Sequence, residues 1–97
     1  MANVVLINPF EVPEEQPDEA FLAGWQQAAE YLRQQPGFIS TRLHRAISSD
    51  ATFRFVNVAE WESPQAFQQA VASEGFVQLT RGRAPGHPAL YEVVRTA

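Results

Sequence analysis

The stretch FRFVNVAEWESPQAF, residues 53–67, decides how the chain is read. Phe53, Phe55, Asn57, Ala59 and Trp61 alternate with Arg54, Val56, Val58 and Glu60, and a period of two is the signature of a β-strand. Ser63-Pro64 comes next, an N-cap residue followed by proline at the first helical position. The strand therefore runs directly into a helix, on which Ala66, Phe67, Ala70 and Val71 share one side. One residue is out of character. Asparagine is depleted in strands and costly to bury unless its amide is hydrogen-bonded. Two readings of Asn57 stay open: a neighbouring backbone group satisfies the amide, or it faces a cavity in which a ligand completes its bonding.

Working outward, GFISTRLHRAI (residues 37–47) reads as a second strand of imperfect alternation, joined by SSDAT to the third strand, residues 52–61. So short a connection predicts a hairpin. Upstream, a helix is predicted from Asp18 to Gln35, with Phe21, Leu22, Trp25, Ala28, Ala29 and Leu32 on one apolar stripe. Its acids fall in the first turn, where the helix dipole favours them, and Pro36-Gly37 stops it. ANVVLINPFEV is the first strand, closed by Pro13 and the acidic turn PEEQP. Downstream, SEG interrupts the second helix, FVQLTRG continues it by a turn or two, RAPGHP is a loop and ALYEVVRT the last strand.

The order is β-α-β-β-α-β. It predicts an α+β, ferredoxin-like fold: a four-stranded antiparallel sheet with both helices on one face. Such a sheet leaves its other face bare, yet several strands are apolar on both sides: Val56 and Val58 form a second row in the third, Val4 and Leu6 alternate with Val5 and Ile7 in the first, and Leu90 and Val94 lie opposite Tyr91 and Val93 in the last. A bare apolar face implies a partner. The economical solution is a two-fold homodimer packed sheet against sheet, a dimeric α+β barrel.

Composition bounds the function. Ninety-seven residues form one domain, 1–97, with a modest core. Net charge is −4, and the seven basic residues are all arginine, scattered along the chain, so no nucleic-acid surface is expected. Glu11, Glu14, Glu15, Asp18 and Glu19 form a solvated acidic turn. Without cysteine there is no disulfide, thiolate nucleophile or cysteine metal site. His44 and His87 lack the spacing of a metal pair. No signal peptide, membrane span or membrane partner is expected, and a cytoplasmic location is the default. There is no phosphate loop, nucleophile elbow or dinucleotide fingerprint.

PGFISTRLHR, VNVAEW, ESPQAF and GHPALYEVV together resemble the antibiotic biosynthesis monooxygenase domain of the dimeric α+β barrel superfamily, over nearly the whole chain. The resemblance implies the fold already read from element order. It also implies a choice between branches. Quinol monooxygenases of this type use an Asn and a Trp four apart on the third strand, a Tyr six residues further on, and an Arg after the second helix. Asn57, Trp61 and Arg81 match, whereas Phe67 stands at the tyrosine position. The haem-degrading branch uses an Asn on the first strand, matched by Asn8, but Ala70 and Thr80 occupy the positions of its Trp and of its haem-ligating His.

The expectation is thus a monooxygenase with no cofactor, acting on a small aromatic quinol- or anthrone-like substrate and O2. Such a substrate, once deprotonated, reduces oxygen itself. The protein must favour the anion, hold it against O2 and exclude water. Arg81 suits a developing phenolate, Asn57 donates or accepts, and Trp61 offers an indole N–H and a stacking surface. His44 is a candidate base. Phe53, Phe55, Phe67, Phe76, Trp25 and Asn8 would line the pocket. Each has a plainer reading: Trp61 closes the core, Arg81 caps a helix, His44 bonds structurally, Asn8 ends a ladder, and the helical aromatics are core. The alternative function is a non-catalytic module of the same fold that binds a small apolar ligand, haem included.

Overall fold

The sheet is organised around the strand that opens the sequence reading. In the computed structural model, which describes residues 3–97, β1 spans Val4–Phe10, α1 Asp18–Leu32, β2 Phe38–Arg45, β3 Phe55–Trp61, α2 Pro64–Ala72, α3 Glu74–Thr80 and β4 Ala89–Tyr91. Strand order is β2-β3-β1-β4, and every pairing is antiparallel. This is the ferredoxin-like arrangement, with the helices on one face. Residue Ala2, assigned to the first strand from sequence, lies outside the described residues.

Burial along β3 follows the period of two without a break: Phe55, Asn57, Ala59 and Trp61 are buried, and Val56, Val58 and Glu60 between them are half-buried. Cross-strand register extends that row over the sheet. Val4 and Phe38 flank Trp61, Leu6 and Thr41 flank Ala59, Asn8 and Leu43 flank Asn57, and Phe10 and Arg45 flank Phe55. A β-bulge between Phe38 and Ser40 makes this possible. It adds one residue to β2, so that Thr41, Leu43 and Arg45 turn toward the helices and Arg42 and His44 turn away.

Local signals account for the helix ends. Ser63 caps α2 by accepting from the Ala66 N–H at 3.1 Å, with Pro64 at the first position. Ser73 ends α2 and starts α3: its hydroxyl donates to the Ala70 carbonyl at 2.7 Å and lies 2.8 Å from the Tyr31 hydroxyl of α1. That bond ties the break to the neighbouring helix. α1 begins at Asp18, whose carboxylate accepts from Arg54 at 2.9 Å and Arg45 at 3.1 Å, pinning the helix start to β3 and β2. After α1 the chain turns through Gly37, with φ of 87° and no room for a Cβ beside the Ala66 methyl. A left-handed conformation and a close approach both call for glycine there.

On the other face Val5, Ile7, Val56 and Val58 form an apolar patch beside Tyr91, which is 51% exposed. No described helix is long and apolar enough to cross a membrane. The last strand is shorter than its sequence pattern suggests. It stops at Tyr91, paired with Val5, where β1 has a single strand residue left to offer, and Val93 and Val94 are 68% and 75% exposed. β3 likewise starts at Phe55 rather than residue 52, because the segment before it turns off the ladder, closed by an Ala46 N–H to Arg54 carbonyl bond of 2.8 Å.

Candidate active site

Asn57 is the one buried polar residue among the described residues, 7% exposed in a row whose other members are Phe55, Ala59 and Trp61. No backbone group takes its amide; instead the Thr41 hydroxyl, on the neighbouring strand, donates to the Asn57 side-chain carbonyl at 2.7 Å. That bond orients the amide and leaves its NH2 as the donor on offer. Asn8 is the cross-strand partner on the other side, and its side-chain carbonyl is buried without a hydrogen-bond partner. The Trp61 indole N–H is in the same condition. A buried polar group left unpaired costs about 1–3 kcal/mol, so three polar groups on one strip of sheet, two of them unmet, mark it for something besides packing.

Aromatic clusters bracket the strip. At one end Trp61 is wholly buried, with Phe38 and Phe67 edge-on at 5.3 and 5.7 Å, and Leu6, Ala59 and Ala70 complete that core. At the other end Phe21 stacks on Phe55 at 4.6 Å and meets Phe10 edge-on at 5.1 Å. There α1 stands off the sheet edge, and a cleft of about 460 Å³ opens between Leu22, Trp25 and Gln26 of α1 and Leu43, Arg45 and Phe55 of the sheet. Phe55 lies two residues along from Asn57, and Leu43 is directly opposite it, so the cleft ends at the sheet neighbours of Asn57. A larger cleft of about 640 Å³ lies among the loops at Phe10–Pro13, Thr52–Arg54 and His87. Neither cleft is lined by Asn57, Trp61 or Arg81; the smaller one reaches Leu43 and Phe55, the sheet neighbours of Asn57, and we regard it as the candidate site.

The structure thus brings Asn57, Trp61, Asn8, Phe55 and Phe67 onto one face, with Trp25 across the cleft. The other residues singled out from the sequence lie elsewhere. His44 is exposed on the helix-free face, opposite Val56, because the bulge in β2 turns it away from Asn57. Arg81 is exposed at the C-cap of α3. Its neighbour Arg83 folds onto α1, donating to the Gln27 side-chain carbonyl at 2.9 Å. Phe53 precedes β3 and lies near the His87 ring, 6.2 Å away, in the larger cleft. Phe76 packs near Tyr31 at 6.4 Å. His87 pairs with Glu11 at 2.6 Å, both exposed. Among the described residues no three His, Asp or Glu side chains converge as metal ligands.

Thr41, Leu43, Arg45, Leu22 and Gln26 belong to the site and were not singled out from the sequence. Leu22 had a visible signal, its place on the apolar stripe of α1. The β2 residues had none, since their facing depends on a bulge that leaves no trace in composition.

A ferredoxin-like sheet with an aromatic cleft under its helices is one class of small-molecule site, and comparison with known proteins narrows it. The family model for antibiotic biosynthesis monooxygenase matches residues 3–81. The chain belongs to that family, and with it to the oxidoreductases. A protein from Shewanella loihica put forward as a monooxygenase is 42% identical, with a TM-score of 0.84 over 98% of this chain and 97% of that one. SnoaB, a cofactor-independent oxygenase from Streptomyces nogalater, is 26% identical, with a TM-score of 0.81 over 99% and 97%. A DABB family protein with a ferredoxin-like fold from Mesorhizobium loti, 14% identical with a TM-score of 0.76 over 98% and 100%, shows the fold alone. None of the proteins with curated functions matches.

Proposed function

We propose that the protein is a cofactor-independent monooxygenase that oxidises a small aromatic quinol- or anthrone-like substrate with O2, as a cytoplasmic homodimer joined through its bare sheet face. The observation that carries the proposal is Asn57: a buried amide in an aromatic row, its carbonyl held by Thr41 and its NH2 on offer beside a cleft walled by Phe55, Leu43 and Trp25. The likeness to SnoaB supports the absence of a cofactor. The apolar patch of Val5, Ile7, Val56 and Val58 supports the dimer.

In this reading the substrate ring lies against Trp25 and Leu43 with an oxygen toward Asn57. The amide NH2 donates to that oxygen more strongly as it becomes a phenolate, which favours the anion. The substrate gives its proton to water at the cleft mouth, the anion passes an electron to O2, the two radicals join through a C–O bond, and the peroxide anion takes a proton back and loses water. One oxygen atom stays in the product carbonyl; the other leaves as H2O. Trp61 and Phe67 close the dry core at the far end of the strip, away from the substrate. Arg81 and His44, exposed elsewhere, have no part in the reaction.

Oxygen uptake by chelator-treated protein, with anthrones and hydroquinones and with autoxidation subtracted, tests the proposal. Uptake that survives chelation and falls at least a hundredfold in Asn57→Ala, with the fold intact, is the expected result. No uptake with any quinol would make the chain a binding module, and the polar strip a recognition surface.

A further inference from the structure

The charge at the mouth of the cleft selects its ligand. Arg45 forms the cleft wall nearest the start of α1, and its guanidinium donates to Asp18 at 3.1 Å. Asp18 also accepts from Arg54 at 2.9 Å, and Arg54 donates to the Pro13 carbonyl at 2.8 Å. One carboxylate is thus shared by two guanidinium groups, so direct pairing neutralises Arg45 only in part, and Glu14, Glu15 and Glu19 in the same turn keep the local surplus modest. Asp18 engages a single nitrogen of Arg45, so the rest of its fork is available in the cleft. The other polar wall residue, Gln26, gives its NH2 to Glu30 at 2.9 Å. That carboxylate lies a helical turn beyond Gln26, at the end of the cleft away from Arg45. Between the two ends, Trp25, Leu22 and Leu43 offer an apolar surface.

We propose that this cleft takes a planar aromatic acid, its rings against Trp25 and Leu43 and its carboxylate on Arg45, which makes Arg45 the residue that selects anionic substrates. A carboxylate matches the guanidinium fork in shape and charge. The proposal rests on the oxygenase reading for what happens to the ligand, but not for its binding.

Quenching of tryptophan fluorescence by anthraquinone-2-carboxylate and by its neutral carboxamide tests it in the full chain, with Trp25→Phe marking the signal that comes from the cleft. The carboxylate should bind at least tenfold more tightly, with an advantage that shrinks as salt rises. Arg45→Gln should abolish that preference while leaving carboxamide affinity unchanged. Equal affinities in the wild type, a preference that survives Arg45→Gln, or binding of neither compound would overturn the proposal. Oxygen uptake separates the two readings. A preference that needs Arg45 without turnover of any quinol would sink the oxygenase and spare the acid site; neutral anthrone turnover with no charge preference would do the reverse.

Discussion

The two ends of the helix-facing layer are built from the same material and do different things. Around Trp61 the rings of Phe38 and Phe67 stand edge-on against the indole, and α2 closes over them with Ala66 and Ala70. Around Phe55 the rings of Phe10 and Phe21 pack as closely, and Phe55 is only 1% exposed. Yet beyond Phe21 the helix leaves the sheet edge, and a cleft remains. Small side chains account for the first arrangement: alanine at 59, 66 and 70 lets α2 lie close to the sheet. Larger ones, Leu22 and Trp25 on α1 against Leu43 and Arg45 on β2, hold the other end apart. Asn57 sits where one regime gives way to the other, and a buried amide is least costly where a cavity borders it.

The sharpest way to break this contrast is to remove its two anchors separately. Trp61→Ala leaves a void under α2 that nothing can fill, and should cost about 3–5 kcal/mol in chemical denaturation. Phe55→Ala should fall at or below the low end of that range, since Leu22 and Trp25 can settle into the space from the cleft. An equal or larger loss at Phe55 would mean that the cleft end is as closely packed as the other.

Gly37→Ala comes next. The turn requires a positive φ, and an added methyl meets the Ala66 side chain of α2, so the cost should be about 1–3 kcal/mol. The damage should register as loosening of α2 over Trp61, seen as faster amide exchange there, while ligand affinity at the cleft holds. A change of equal size in the cleft would show that the two ends are coupled.

How much of this was legible in the chain follows from the same contrast. The Trp61 end depends on near neighbours in sequence: the period of β3, the cap at Ser63-Pro64 and the stop at Pro36-Gly37 are local signals, and they mark the right elements, although α1 ends at Leu32 rather than Gln35 and β3 starts at Phe55 rather than residue 52. The cleft end depends on register. The bulge between Phe38 and Ser40 decides that Arg45 faces the helices and His44 does not, and a period-two count carried on from Phe38 gives the opposite result. Phe53 extends the β3 row on paper, but the ladder has already ended before it. Arg81 carries a family position without a neighbour in sequence to fix where its side chain goes. The length of β4 was hidden for a third reason, since an apolar segment continues after β1 has no more edge to pair with.

Asn57→Leu sharpens the contrast at its boundary. If the amide is there for chemistry, replacing it with an apolar side chain of similar size should leave stability within about 1 kcal/mol of wild type, or raise it, because the leucine carries no polar group to desolvate. Thr41 loses its acceptor, which offsets part of any gain. Oxygen uptake should nonetheless collapse. A fall in stability of several kcal/mol with activity kept in proportion would return Asn57 to a structural role.

Asp18→Asn gives the smallest effect on folding and the most specific one on the cleft. Asp18 is 35% exposed, and its pairs with Arg45 and Arg54 are open to solvent, so the loss of stability should stay near or below about 1 kcal/mol and fade in high salt. Removing the carboxylate, however, releases the Arg45 guanidinium from its competitor. Affinity for an aromatic carboxylate should then rise severalfold, while affinity for the neutral carboxamide stays the same. The sign is what matters, because a substitution that slightly weakens the start of α1 is expected to improve binding just beside it. If affinity for the carboxylate falls instead, Asp18 positions Arg45 rather than competing for it, and the corner is a fixed brace between helix and sheet.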